Sequence, residues 1–127
     1  MRTIKFRAWD KDEKKMMVPA QIEWRDGQIF RIDDGHDWVI ARAYELMQFT
    51  GILDKNEKEI YEGDILQSKA KTQEGIVYVV FDEGSFWFMW DKDNGFTYDW
   101  LVRNQGEKFS FEVTGNIYEN PALLNPT

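Results

Sequence analysis

Cysteine is absent from the 127 residues, which excludes disulfides, thiolate metal sites and cysteine nucleophiles. Histidine occurs once, as His36, so a nucleophilic triad has only one candidate base. Long apolar runs are missing too. The longest, Ile76 to Phe81, has six residues, far short of the roughly 20 that a membrane helix needs. The opening MRTIKFRAWDKDEKK shows no apolar stretch followed by small residues, so no secretory signal is read there. No dinucleotide fingerprint, phosphate loop or HExxH zinc motif occurs. These absences lead to the expectation of a protein of the cytoplasm, with no membrane contact, no cofactor and a fold held by packing alone.

The material for that packing is aromatic. The chain holds nine Phe, six Trp and five Tyr, and is 43% hydrophobic, enough for a core without disulfides. Net charge is −7, which opposes extended contact with phosphate backbones. The charge is uneven. Residues 1–15 carry six Lys or Arg against three acids, and the remainder ten against twenty. Arg2, Lys5 and Arg7 are the candidate nucleic-acid contacts. The plainer reading is that they keep an edge strand soluble.

Patterning is that of β structure. Residues 3–9 alternate, with Ile4, Phe6 and Ala8 on one face and Lys5 and Arg7 on the other. Lys11 to Lys15 reads as a turn, and Met16 to Val18 as a return strand ended by Pro19. Asp26-Gly27 between two short apolar runs predicts a tight hairpin. Trp38 to Met47 reads as extended chain with a helical turn. In the second half, Ile65 to Ser68 and Gly75 to Phe81 are strands. The latter is apolar on both faces and so is expected to be central. Phe86 to Trp90 returns from a turn at residues 82–85. Phe96 to Leu101 is a strand or a helical turn. Phe109 to Val113 alternates as a final strand, and a helical turn starts near Pro121. Turn signals recur about every ten residues, the spacing of a small barrel or sandwich. The weakest break, near Thr50, divides an N-terminal β region at 1–49 from a C-terminal barrel at 50–127.

Several stretches imitate sites. Asp33, Asp34, His36 and Asp37 offer carboxylates and an imidazole, the donors of a metal-dependent hydrolase. The loop lacks the defined spacing of a structural metal site. Turns beginning at Asp54 and Asp91 resemble calcium loops but place neither the glycine nor the closing glutamate correctly. They read as turns in which Asp side chains bond their own backbone. In IYEGDIL, Glu62 and Asp64 flank Gly63. A catalytic pair needs two different environments, whereas two acids of one exposed turn share one. The expectation is therefore structural: Gly63 permits the bend and Asp64 accepts bonds from nearby backbone. No catalytic residue is assigned and no enzyme is expected.

The aromatic hairpin is the most unusual feature. Strand alternation sends Phe86, Phe88 and Trp90 one way and Trp87 and Met89 the other. One set fills the core, and the other needs a cover. Trp87, Met89, Trp90 and Trp100 are the candidate partner surface.

Four stretches in order then form a recognisable set: IKFRAWD at 4–10, LMQFTG at 46–51, DKN with KEIYEGDI between 54 and 65, and EVTGNIYENP at 112–121. Together they resemble the YopX family of phage and prophage proteins, over nearly the whole chain. The resemblance implies a small, mainly β protein of a phage or prophage in a bacterial host cell, with a Src-homology-3-like, partly open barrel in its C-terminal half. It implies no known activity. Where that family usually has glycine after Asn56, this chain has Glu57. Either Asn56 is then expected to take the left-handed conformation, or the hairpin tip is looser. The functional expectation is a non-catalytic accessory protein that binds a host or phage protein, and forms a homo-oligomer. Alternatives are a nucleic-acid-associated protein and an acidic DNA mimic.

Overall fold

The computed structural model describes residues 3–70, 74–105 and 109–124. The fold is mainly β, as expected, with one curled sheet shaped as a half-barrel. The chain divides into two compact units, Thr3–Gln48 and a second that begins at Phe49.

The first unit contains β1 (Phe6–Asp10), β2 (Lys15–Met17), β3 (Gln21–Arg25), β4 (Gln28–Asp33), β5 (Trp38–Ile40) and the start of β6 (Tyr44–Leu53). β1 lies between β2 and β6, with Ala8 opposite Met17 on one side and Leu46 on the other. The predicted strand at 3–9 begins late. The ladder to β6 starts at Phe6 opposite Gln48, so Ile4 lies before the paired residues and is 58% exposed. β3, β4 and β5 form an antiparallel sheet in that order. Its first hairpin makes the predicted tight turn at Asp26-Gly27, whose positive φ values of 53° and 78° are those of type I′. Between β5 and β6 stands the expected helical turn, a 3-10 turn at Ala41–Ala43. Ala8, Ile32 and Tyr44 form the buried centre, with Val39, Ala43 and Leu46 packed against it.

The second unit holds the rest of β6, β7 (Glu59–Tyr61), β8 (Asp64–Ser68), β9 (Gly75–Asp82), β10 (Ser85–Met89), β11 (Gly95–Phe96), α1 (Tyr98–Gln105), β12 (Glu112–Asn116) and a 3-10 turn at Pro121–Leu124. Five strands form one sheet in the order β11-β10-β9-β8-β12. β9 is central, as its apolar run predicts. Its ends β11 and β12 are not paired with each other, so the curl stays open. Phe109 and Phe111 are buried, but the paired strand begins only at Glu112, opposite Gln67. Just before it, Ser110 meets Ser68 through their hydroxyls at 2.8 Å. Leu66, Val77, Val79, Phe88, Phe96 and Phe111 lie in the core of this unit.

The IYEGDIL stretch moves the chain from one ladder to another, since β7 pairs with β6 and β8 with β9 and β12. Gly63 has φ 83°. Its N–H donates to the Val79 carbonyl at 2.9 Å, and its own carbonyl accepts from the Ile117 N–H at 2.8 Å. Asp64 accepts from the Tyr61 N–H at 2.8 Å, the structural role expected of it. One expectation fails here. Asp64 is only 1% exposed while Glu62 is half-buried, so the two carboxylates do not share one exposed environment. Burial follows from β8 entering the centre of the unit directly at Asp64.

The tip at 54–58 also differs from expectation. Neither Asn56 nor a loosened loop absorbs the missing glycine: Glu57 itself takes the left-handed conformation, with φ 66°. The surroundings hold it there. Asp54 accepts from the N–H groups of Asn56 (2.7 Å) and Lys58 (2.9 Å) on one oxygen, and of Val113 (2.9 Å) on the other. The Glu57 N–H donates to the Asp54 carbonyl at 3.0 Å. Burial by itself would raise the Asp54 carboxyl, but these three donors outweigh it and hold it below the usual carboxylate range.

Candidate functional site

Three of the six tryptophans come together in the second unit. Trp87, Trp90 and Trp100, with Phe96, Thr97 and Gly95, line a concavity of about 340 Å³. Each indole reaches it by a different local device.

Trp87 sits on β10 opposite Val80. Its indole N–H donates to the Asp82 carbonyl at 3.0 Å, back across its own hairpin. This bond satisfies the ring's only donor and fixes its orientation. Trp90 lies one residue beyond β10 and is released from strict alternation. Its backbone N–H donates to the Asn94 carbonyl at 2.8 Å, closing a loop built by Asp91. The Asp91 carboxylate accepts from the N–H groups of Asp93 (2.8 Å) and Asn94 (2.9 Å) and from the Asn94 side chain (3.1 Å). These donors, led by Asp93, hold its carboxyl below the ordinary range. The loop brings the Trp90 ring to 5.0 Å from the Phe96 ring. Phe96 in turn stacks on buried Phe88 at 5.4 Å.

Trp100 arrives on α1. The helix starts where the Thr97 hydroxyl accepts from the Trp100 N–H at 3.2 Å, an N-cap bond. Leu101 is buried and anchors the helix. Trp100, one step before it around the helix, is left on an outer face. Trp90 is 49% and Trp100 47% exposed. Asp99 and Arg103 pair at 3.0 Å one turn apart on the same helix.

Alternation along β10 is thus only part of the answer. Phe88 is buried, as its predicted face requires, but Trp90 shares that face and remains half-exposed. Met89 does not line the tryptophan concavity. It lines a neighbouring one of about 500 Å³ together with Tyr78, Asp82, Glu83 and Asp93. Trp87 and Gly95 line both. Thr97 was missed as a member of the site. Its signal was there to be read: a threonine before a short helix whose first turn carries Asp99.

The other candidates separate from this site. Arg2 lies outside the described residues. Lys5 is exposed and Arg7 half-buried, and both belong to the first unit, whereas the Trp-rich hairpin belongs to the second. Within the basic N-terminal stretch, Lys11 pairs with Glu45 at 3.2 Å and Lys15 with Glu13 at 2.8 Å. At the end of β4, Asp33 accepts from the Gly35 N–H of the following loop at 2.9 Å. Asp34 accepts from those of His36 and Asp37, both at 2.9 Å. Among the described residues no three carboxylate or imidazole side chains gather to hold a metal ion. No described helix is long and apolar enough to cross a membrane.

A family model described as YopX protein matches residues 5–125. Among solved structures, protein EF1440 from Enterococcus faecalis is similar at 29% identity and a TM-score of 0.65, over 98% of this chain and 99% of that one. Protein yopX from Bacillus subtilis is similar at 22% identity and a TM-score of 0.63, over 100% and 99%. A search of curated proteins finds no match. The family match takes in both units, the IYEGDIL turn and the tryptophan concavity, and the chain belongs to the YopX family.

Proposed function

We propose that this chain is a non-catalytic accessory protein of a phage or prophage, acting in the host cytoplasm by binding a host or phage protein through the tryptophan concavity. The observation that carries this reading is the convergence of three indoles on one open recess, two of them about half-exposed. Indoles held in fixed orientations bury much area on association at little entropic cost, and tryptophan is enriched among residues that dominate binding energy. The engagement of Asp33, Asp34 and Asp91 with backbone amides favours a binding role over carboxylate chemistry.

The test is affinity capture from host lysate with the full chain and with a Trp90→Ala/Trp100→Ala variant. A partner enriched by the parent and lost from the variant, at unchanged thermal stability, supports the reading. Retention of the same proteins by both overturns it. Light scattering of the two proteins tests the homo-oligomer. A larger particle for the parent and a monomer for the variant make a second copy the partner.

The net charge of −7 favours one variation, in which the acidic body occupies a partner's DNA site. In that case duplex DNA displaces the captured partner. Direct nucleic-acid binding is disfavoured by the same charge and by the carboxylates paired with Lys11 and Lys15. It would show as a salt-sensitive shift of single-stranded DNA or RNA.

A further inference from the structure

The tryptophan concavity has an acidic neighbour. Asp82, Glu83 and Asp93 line the recess on the other side of Trp87, against one cation, Lys92. All four are exposed. The Asp82 carboxylate accepts from the Glu83 N–H at 3.0 Å. None of the three acids forms an ion pair among the described residues. Trp87 stands between the recesses with its N–H already committed to the Asp82 carbonyl. What it presents is therefore its π face and edge rather than a donor. A π face beside unpaired carboxylates selects a cation: the ring quadrupole attracts it from one side and the carboxylates from the other. The flanking recess of Trp90, Phe96 and Trp100 selects an apolar group next to it.

Resting on the reading that this surface holds a protein partner, we infer that the partner presents a basic segment. One Arg or Lys packs over Trp87 with its charge toward Asp82, Glu83 and Asp93, and an adjacent large apolar side chain enters the tryptophan concavity. Charge complementarity decides for a basic peptide over an acidic one or a nucleic acid, whose phosphates the same carboxylates repel. Two recesses side by side decide for a chain segment over a single small cation, because one side chain cannot fill both.

The experiment titrates the full protein with capped seven-residue peptides, following indole fluorescence. One peptide alternates Arg with Leu, one alternates Glu with Leu, and one alternates Arg with Ser. A single-stranded oligonucleotide is the fourth probe. The Arg-Leu peptide is expected to bind at least about tenfold more tightly than the Glu-Leu peptide. Its affinity should fall with added salt, and it should exceed that of the Arg-Ser peptide. Trp87→Ala is expected to weaken it about tenfold. Lys92→Glu, at an exposed position that leaves the packing intact, is expected to strengthen it severalfold. Equal binding of the Arg-Leu and Glu-Leu peptides, an unchanged affinity in Lys92→Glu, or preference for the oligonucleotide overturns the inference. The broader reading fails separately. If a lysate partner depends on Trp90 and Trp100 but the Arg-Leu peptide does not displace it, only the basic-segment inference falls. If capture is indifferent to those tryptophans, both fall.

Discussion

The two units solve the same problem, covering aromatic surface, in different ways. The first buries a small centre of Ala8, Ile32 and Tyr44 and leaves Trp24, Phe30 and Trp38 about half-exposed. Cations lie on two of those rings: the Arg25 guanidinium is 3.7 Å from the Phe30 centroid and that of Arg31 4.3 Å from Trp38. Glu23 pairs with both arginines, at 2.8 and 2.9 Å. Such contacts in water are weak individually. The second unit puts four phenylalanines in its core, with Phe88, Phe96, Phe109 and Phe111 in mutual ring contact. It still places Trp90 and Trp100 outside. Exposure in the first unit accompanies a scarcity of core, whereas in the second it occurs beside a well-filled one. That contrast is why the recess in the second unit, and not the aromatic surface of the first, reads as a site.

The largest expected effect tests the difference in cores. Phe88→Ala should cost about 4 kcal/mol, and Ile32→Ala nearer about 3 kcal/mol, by the usual cost of emptying a packed site. Urea unfolding measures both. Hydrogen exchange should show β4 amides exchanging before those of β9. Equal protection would erase the contrast between the units.

Glycines come next. Gly63→Val forces a β-branched residue to positive φ in a turn whose N–H and carbonyl are both engaged. It should cost about 3 kcal/mol through strain and disturbed bonds. At the tip of the first unit's hairpin, Gly27 has φ 78° with open space around it. Gly27→Ala should cost only about 1 kcal/mol. Comparable melting temperatures for the two variants would mean that the bonded turn at Gly63 matters no more to stability than an open hairpin tip.

Acids sharpen the comparison further. Asp54 is buried and Asp34 only half-buried, and amide donors hold both carboxyls below their ordinary values. A carboxyl lowered in the folded state contributes stability above the unfolded value near 3.9, and loses it as the pH falls from there through the folded value. Asp54→Asn should therefore cost about 2 kcal/mol at pH 7, with the gap to the parent closing below about pH 4. Asp34→Asn should change stability less at every pH. Denaturation midpoints between pH 2 and 7 decide it.

The smallest effects concern glutamates. Glu57→Gly should gain about 1 kcal/mol, since glycine takes the left-handed conformation without strain. Glu62→Gln should stay within about 0.5 kcal/mol. Loss of partner binding in Glu62→Gln without loss of stability would return IYEGDIL to the status of a functional site.

Much of the fold was legible because its causes are local. The Asp26-Gly27 turn, the helical turn at 41–43 and the turn at Pro121 follow from residues within a few positions of each other. The apolar run of β9 marked a central strand because both its neighbours in the sheet are strands. Errors arose where partners are distant. The burial of Asp64 depends on how β8 enters the sheet. The late starts of β1 and β12 depend on where β6 and β8 pair with them. Glu57 holds its left-handed conformation in a tip that Asp54 ties to Val113, far along the chain.

By itself, then, the sequence determined the class of fold, its turns and the family, because alternation, turn chemistry and motif order are properties of neighbouring residues. It also determined that aromatic side chains exceed what one face of a hairpin can hide. Only the tertiary structure decided where the excess goes. Trp87 is aimed by a bond across its hairpin, Trp90 by a loop that Asp91 closes, and Trp100 by a helix that Leu101 pins to the core. Three separate local devices meet in one recess because β10, β11 and α1 pack on the same phenylalanines, and no spacing along the chain encodes that meeting.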